Sequence, residues 1–242
     1  MSLFGDKDTI SAQRTLISPL LAPTDPADAM TAYYALVHDP RRTRIVLHRT
    51  LAGGVDGFAA VCQTGRDLFV PLVVVRANET DVGPLLQQAL QPGRPYTIVT
   101  RPKLREAIEG AMLVEHYQTN RIYVLHPDVY RPVINVMVQP GQIPLRYEVH
   151  VRDQVVAAAG VNWRSDKLAD MYVYTDPVYQ GRGWARAVGS ACVRDLLAER
   201  LLPLYTVFEQ NAVSQRLAEA LGFRDGGARE FECRGQLGRI ER

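Results

Sequence analysis

The feature that most constrains this chain is a pair of closely spaced glycines between a strand-like run and a long helical pattern. The stretch reads Tyr174-Thr175-Asp176-Pro177-Val178-Tyr179-Gln180-Gly181-Arg182-Gly183-Trp184-Ala185. A helix start exposes backbone N–H groups without intrahelical partners and carries a partial positive charge. Gly181 and Gly183 leave room for an anion to approach these groups, and Arg182 adds a cationic side chain. The pattern predicts a phosphate-binding turn, with a simple tight turn as the alternative.

A second strand–helix unit follows the first. Its helical run begins after Asn211, a good N-cap residue because its side-chain oxygen accepts a hydrogen bond from an amide of the first turn. The run ends at Gly222, which suits the left-handed position after a helix, and Phe223 supplies the apolar contact that accompanies such an end. The two units place both helix starts beside one sheet.

The N-terminal half predicts a mixture of helices and strands. Helical patterns cover residues 25 to about 38, 82–90 and 103–112. Strand-like runs at 44–50, 55–64 and 68–76, separated by glycine-containing turns, predict an antiparallel meander. Two further strands are predicted at 96–100 and 121–125.

A proline-rich segment separates the two halves. Pro127, Pro132, Pro140 and Pro144 lie within residues 126–144, and such a concentration favours a connector. We therefore predict domains at 1–126 and 127–242. The second domain continues with a hairpin (145–151 and 155–163), strands at 168–174, 204–208 and 224–232, and helices at 182–200 and 212–221. The predicted class is α/β with a mixed sheet.

Charge and cysteine content exclude several classes of function. Lys and Arg number 28 and Asp and Glu 26, a net charge of +2, so no broad cationic surface is available, and we predict no nucleic-acid or membrane partner. Three widely separated cysteines and five histidines without ligand spacing favour neither disulfides nor a metal site. Residues 1–10 contain no signal-peptide pattern, and no run of about 18 apolar residues occurs. We expect a cytoplasmic protein.

Residues 168–223 resemble the GNAT acyltransferase superfamily, and specifically its branch related to glycine N-acyltransferases. The phosphate loop of that family has Gln or Arg, two residues, Gly, one residue, then Gly or Ala, which Gln180, Gly183 and Ala185 match. A second family pattern is matched by Asn211, Ser214, Leu217, Leu221, Gly222 and Phe223. The resemblance covers the C-terminal half well. We interpret the first half as a degenerate copy of the same fold, as in two-domain relatives, although it contains no motif of its own.

The resemblance implies an acyl-CoA-dependent N-acyltransferase that uses acetyl-CoA or another acyl-CoA, a small amine or amino acid as acceptor, and no metal. It places the cofactor between strands 168–175 and 204–208, with backbone groups of Val173 and Thr175 beside the pantetheine arm. The cofactor-binding residues predicted in this way are Val173, Tyr174, Thr175, Gln180, Gly181, Arg182, Gly183, Trp184, Ala185, Asn211 and Ser214.

Transfer to an amine requires a base, because a free alkyl amine has a pKa of about 10.4 and is protonated near pH 7. The candidates are Asp170, on the strand before the loop, and Glu148 and His150, which share a face of the hairpin by alternation. A solvated surface group is the alternative for each. Many relatives carry tyrosine where this chain has Ala218, which excludes a proton relay through that position. Candidate substitutes are Tyr172, Tyr174, Tyr179 and Tyr205.

Two other functions stay open at this point. One is a non-catalytic acyl-CoA sensor or regulatory module, which the missing tyrosine favours. The other is a protein lysine acetyltransferase. The sequence indicates neither the acceptor, nor the acyl chain length, nor the oligomeric state.

Overall fold

A computed structural model describes residues 7–65 and 67–238. Residues 1–6, part of the segment without a signal-peptide pattern, and Arg66, in the predicted turn at 65–67, lie outside the described residues. The chain forms two compact units, one containing the chain as far as Asn120 together with the segment from Arg229, the other spanning Arg121–Ala228. The first unit therefore includes the end of the last strand, which the predicted domain 1–126 does not. The division at 126/127 stays a prediction.

The first unit contains the predicted antiparallel meander, followed by a parallel strand. Its elements are α1 (Lys7–Ile17), α2 (Ala29–Ala32), β1 (Thr43–Arg49), β2 (Val55–Cys62), β3 (Leu72–Arg76), α3 (Glu79–Ala89), β4 (Pro95–Thr100), α4 (Arg105–Ala111) and the start of β5 (Leu113–Leu125). β1, β2 and β3 pair antiparallel, while β3 and β4 are parallel and are connected through α3. β3 is buried along its whole length, as expected for a β-branched run in parallel pairing.

The beginning of the first unit differs from the sequence-based prediction. The pattern did not predict α1, although Ile10 and Ile17, two helical turns apart, are both fully buried on it. The helix predicted from residue 25 is regular only over Ala29–Ala32 and continues as a π-helical turn over Tyr33–Val37. Asp28 is buried and binds Arg76 and Arg101, an ion-pair group that lies immediately before the regular helix.

The second unit contains the elements predicted after the connector, except that the last strand continues into the first unit. Its elements are β6 (Val138–Pro140), β7 (Tyr147–Val151), β8 (Gln154–Arg164), β9 (Leu168–Thr175), α5 (Trp184–Ala198), β10 (Leu202–Phe208), α6 (Ala212–Ala220) and the start of β11 (Phe223–Gln236). The strand order is β5-β10-β9-β8-β7-β6. Arg152 and Asp153 join β7 to β8 with positive φ angles, the geometry of a two-residue hairpin turn. The short strand β6 inside the connector was not predicted.

The two units repeat one order of elements. Three antiparallel strands are followed by a helix, a strand parallel to the third, a second helix and a long final strand. This order agrees with the interpretation of the first half as a copy of the fold of the second. The predicted α/β class with a mixed sheet is confirmed. Among the described residues, no helix is both long enough and apolar enough to cross a membrane.

Candidate functional site

The candidate site begins where β9 and β10 separate. Their parallel ladder comprises only the pairs from Leu202 and Leu168 to Leu204 and Asp170, although β9 continues to Thr175 and β10 to Phe208. The carboxylate of Asp170 accepts hydrogen bonds from the amide (3.2 Å) and hydroxyl (2.8 Å) of Thr206. Asp170 thus binds the amide of the residue two positions beyond the end of the ladder on β10. Further along, the facing edges of the two strands are free of ladder bonds.

A cavity of about 530 Å³ lies in this gap. β9, the following turn, the start of α5, β10 and α6 form its walls. Every residue predicted to bind the cofactor lines it. The full lining is Val173, Tyr174, Thr175, Tyr179, Gln180, Gly181, Arg182, Gly183, Trp184, Ala185, Tyr205, Asn211, Val213, Ser214 and Leu217.

The turn between β9 and α5 forms an open cradle at one end of the cavity. Gly181 and Gly183 have φ angles of 77° and 74°, which side chains with a Cβ rarely adopt. A Cβ added at either glycine would contact nothing within 4 Å, so the space beside the turn is open. Gly183 is the N-cap of α5 and provides no side-chain cap. The first amides of a 15-residue helix therefore face an open, anion-sized space.

An aromatic stack holds the one cationic side chain of this turn. The rings of Tyr179 and Trp184 are stacked with centroids 5.7 Å apart. The guanidinium of Arg182 lies 5.3 Å from the Tyr179 centroid and 5.4 Å from that of Trp184. Both are cation–π contacts with the faces of the two rings.

The opposite wall combines a capped helix with a buried phenol. Asn211 Oδ1 accepts a hydrogen bond from the amide of Ser214 at 3.0 Å, which confirms the predicted N-cap of α6. Burial raises the pKa of Tyr205 despite a hydrogen bond with Ser214, so this phenol stays protonated. Across the gap, the buried hydroxyl of Thr175 has no hydrogen-bond partner within the described part of the chain, and it therefore suits a polar ligand.

The three candidate bases occupy two different environments. Glu148 Oε1 accepts from Arg146 Nε at 2.5 Å, and Glu148 Oε2 lies 2.9 Å from His150 Nε2. Arg146 Nη1 donates to the Tyr172 hydroxyl at 3.0 Å. The hydrogen bond from Arg146 is the main cause that lowers the pKa of Glu148. The predicted pair Glu148 and His150 thus lies in one half-exposed polar cluster.

Asp170 is separate from this cluster. It is 4% exposed, and its second oxygen accepts a hydrogen bond from Asn162 Nδ2 at 2.7 Å. With the bonds from Thr206, both oxygens are engaged by donors of β8 and β10. Of the tyrosines considered as proton donors, Tyr174, Tyr179 and Tyr205 line the cavity and Tyr172 binds Arg146, while Ala218 is fully buried.

The sequence-based reasoning missed several polar partners of the candidate residues. Arg146 is the clearest case: it is two residues from Glu148, on the same face by alternation, and that spacing was the available signal. In the first unit, His48, Asp56 and Asp81 lie together, with potential ligand atoms within 4.8 Å of one another. No spacing rule indicated this group, since its members belong to β1, β2 and α3. His48 Nδ1 lies 2.7 Å from Asp56 Oδ1, so an ion pair explains why these two members of the group lie together.

Comparison with known proteins places this site in context. Residues 147–228 match the family model of GNAT acetyltransferases. The chain matches no curated protein.

Three solved structures have a similar fold over nearly the whole chain. A GCN5-related N-acetyltransferase from Sphaerobacter thermophilus is 13% identical, with a TM-score of 0.64, covering 98% of this chain and 96% of that one. A GCN5-related N-acetyltransferase-like protein from Streptococcus suis is 12% identical, with a TM-score of 0.63 and coverages of 92% and 99%. A tandem GNAT protein from the clavulanic acid biosynthesis pathway is 12% identical, with a TM-score of 0.60 and coverages of 99% and 98%. At these identities the likeness shows the fold.

Proposed function

We propose that this chain, which has the GNAT acetyltransferase fold and matches that family over residues 147–228, is an acyl-CoA-dependent N-acyltransferase. The proposed donor is acetyl-CoA, and the proposed acceptor is a small amine or amino acid. The supporting observation is the cavity in the gap between β9 and β10, with the glycine cradle at one end. The relationship to glycine N-acyltransferases within the family stays a prediction.

The residues around the cavity fit such a donor. Gly181, Gly183 and the amides at the start of α5 suit a pyrophosphate, and Arg182 adds a charge-assisted contact. From Met171 to Thr175, the edge of β9 that faces β10 makes no ladder bonds, so an amide-bearing arm can lie there like an added strand. The hydroxyl of Thr175, which has no hydrogen-bond partner among the described residues, supplies one further hydrogen bond to the donor.

The polar cluster on β7 and β9 supplies the base. Bound acyl-CoA provides a thioester carbonyl carbon that the amine nitrogen attacks, forming a C–N bond as the C–S bond breaks. The lowered pKa of Glu148 keeps its carboxylate ionised, so it attracts the acceptor ammonium. The Glu148–His150 pair is the proposed route by which the ammonium proton leaves. Asp170, with both oxygens engaged, holds the two strands at the point where they separate.

Tyr205 is the proposed proton donor on the other side of the gap. It lines the cavity, and burial raises its pKa, so it carries its proton at neutral pH. The thiol of the leaving group has a pKa of about 8.5, so the thiolate leaves without much help, and Tyr205 is the proposed donor of a hydrogen bond to it.

Calorimetric titration with acetyl-CoA tests the proposal. We expect Gly183→Glu to weaken binding by on the order of 100-fold, because a carboxylate would occupy the cradle and repel phosphate. Gly227→Glu is the matched control: Gly227 also has positive φ, lies in the same unit, and would place a Cβ in open space. Absence of acetyl-CoA binding to the unmodified protein, or equal binding by both variants, would contradict the proposal.

A sensor without catalysis is the second candidate, favoured by Ala218 where many relatives carry tyrosine. Acetyl-CoA binding without thiol release across an amine panel would support it. The three cysteines are buried free thiols, consistent with the reducing cytoplasm that we propose as the location.

A further inference from the structure

The polar cluster of Arg146, Glu148, His150 and Tyr172 lies on the face of β7–β9 that points away from α5. Alternating neighbours such as Val149 and Met171 belong to the buried core with residues of α5. Because successive side chains of a strand point to opposite faces, Glu148, His150 and Tyr172 project from the other side. We call this group the acceptor cluster.

Gly160 on β8 allows the ring of Tyr172 to lie against the backbone of that strand. A Cβ placed on Gly160 would lie 2.8 Å from the Tyr172 hydroxyl oxygen and 2.9 Å from its ring, so only glycine allows the ring to lie there. Gly160 and Tyr172 are cross-strand partners. In this position the hydroxyl accepts the hydrogen bond from Arg146 Nη1, which fixes the orientation of the guanidinium.

Arg146 has N–H donors that are available to a ligand. Its Nε binds Glu148 and its Nη1 binds Tyr172, while Nη2 has no hydrogen-bond partner among the residues that the structure describes. The side chain is 31% exposed. A guanidinium presents five N–H groups in a planar fork, and the remaining ones match the two oxygens of a carboxylate.

The acceptor cluster lies close to the cavity between β9 and β10. Glu148 pairs with Ala158, and Ala158 pairs with Tyr174, which lines the cavity. Neighbouring strands are about 4.8 Å apart, so the backbone of Glu148 lies about 10 Å from that wall. A side chain and a small acceptor span this distance.

We infer that the acceptor is an α-amino acid, held by its carboxylate on Arg146 and by its amine on the Glu148–His150 pair. This inference rests on the proposed function. Arg146 and Glu148 are in direct contact, so one ligand must offer its carboxylate and its amine close together. In an α-amino acid only two covalent bonds separate the amine nitrogen from the carboxyl carbon. A lysine side chain within a protein has no carboxylate at that distance from its amine.

The test compares common L-amino acids with their carboxamides, which keep the amine and lose the carboxylate charge. Thiol release at saturating acetyl-CoA gives kcat/KM, and calorimetry with CoA-saturated protein gives acceptor affinity. We expect the best amino acid to exceed its carboxamide by about 10- to 100-fold in both readouts, as for a charge-assisted pair. Arg146→Met should abolish this preference mainly through KM, and Arg146→Lys should restore part of it.

Arg164→Met is the matched control, since Arg164 is an exposed arginine on β8 paired with Glu199 and belongs to neither site. It should leave both readouts unchanged. Carboxamides that bind and react as well as the free acids would overturn the inference, as would an absence of amino-acid binding while acetyl-CoA still binds. Failure of the unmodified protein to bind acetyl-CoA would overturn the proposed function and this inference together.

Discussion

At the scale of single residues, the carboxylates that the sequence offers as bases differ in their surroundings. Asp170 is buried and accepts hydrogen bonds from the amide and hydroxyl of Thr206 and from the side-chain amide of Asn162. The Glu148 side chain is 13% exposed and binds two charged or titratable side chains, Arg146 and His150. Pairing with uncharged hydrogen-bond donors in the core favours a structural role for Asp170. A titratable partner, His150, that is 36% exposed favours a chemical role for the Glu148–His150 pair.

Asp170→Asn should therefore reduce stability, whereas Glu148→Gln should reduce turnover. The new amide would point its NH₂ group at a donor of Thr206 or Asn162, at a cost of about 1–3 kcal/mol. Loss of the base should lower kcat by about 100- to 10,000-fold with little change in stability. Urea unfolding and thiol-release assays of both variants separate the effects. If Asp170→Asn kept full stability but lost kcat, Asp170 would be the base.

His48 should make stability depend on pH. Its hydrogen bond with Asp56 is the main cause that raises its pKa, with a further contribution from Asp81. A raised folded-state pKa contributes stability that is present below the unfolded value of about 6.5 and is lost as pH rises through the folded value. The stability difference between the unmodified protein and His48→Gln should thus shrink between about pH 6 and pH 8. Urea unfolding across that range measures it, and a constant difference would contradict the assignment.

At the scale of elements, the sequence marks both ends of α6 correctly. Asn211 caps its start, and Gly222 follows its end with φ at 92°. A Cβ on Gly222 would also lie 3.0 Å from the Cα of Tyr130. Glycine is therefore required at this position both by the helix ending and by the close approach of the connector backbone. Only the helix ending can be predicted from the sequence.

Gly222→Ala should destabilise the protein by about 1–3 kcal/mol, from the left-handed backbone and the contact with Tyr130. Gly226→Ala is the control, because that glycine has no positive φ and a Cβ there would contact nothing within 4 Å. Urea unfolding of both variants measures the difference. Equal stabilities would show that the backbone at 222 can rearrange.

At the scale of the whole molecule, the two units share an order of elements but differ where the third antiparallel strand leads into the next helix. In the first unit, Thr100 Oγ1 donates to the carbonyl of Val75 at the ends of the parallel strands, and Asp28 binds Arg76 and Arg101 there. Its helix α3 begins with Glu79 and Asp81, acids that would repel a phosphate. The corresponding helix α5 begins with the open glycine turn.

We therefore expect one acetyl-CoA per chain. Calorimetry should give a stoichiometry near one, and Gly183→Glu should remove the whole binding heat. Two sites per chain, or residual high-affinity binding in that variant, would show that the first unit also binds the donor.

The sequence by itself determined the order and type of most elements and both ends of α6. It also predicted eleven of the fifteen residues that line the cavity. These features depend on local chemistry: glycine backbone freedom, helix capping, and periodic apolar residues are all readable from neighbours in the chain.

Only the tertiary structure decided what each carboxylate touches. The separation of β9 from β10 at Asp170, the bond from Arg146 to Glu148 and the flat placement of Tyr172 on Gly160 all depend on strand pairing and register. Register is set by the packing of whole faces and by turn geometry, so residues far apart in sequence become partners without a local signal. The residues around the cavity were therefore predictable, while the surroundings of the proposed base and acceptor groups required the fold.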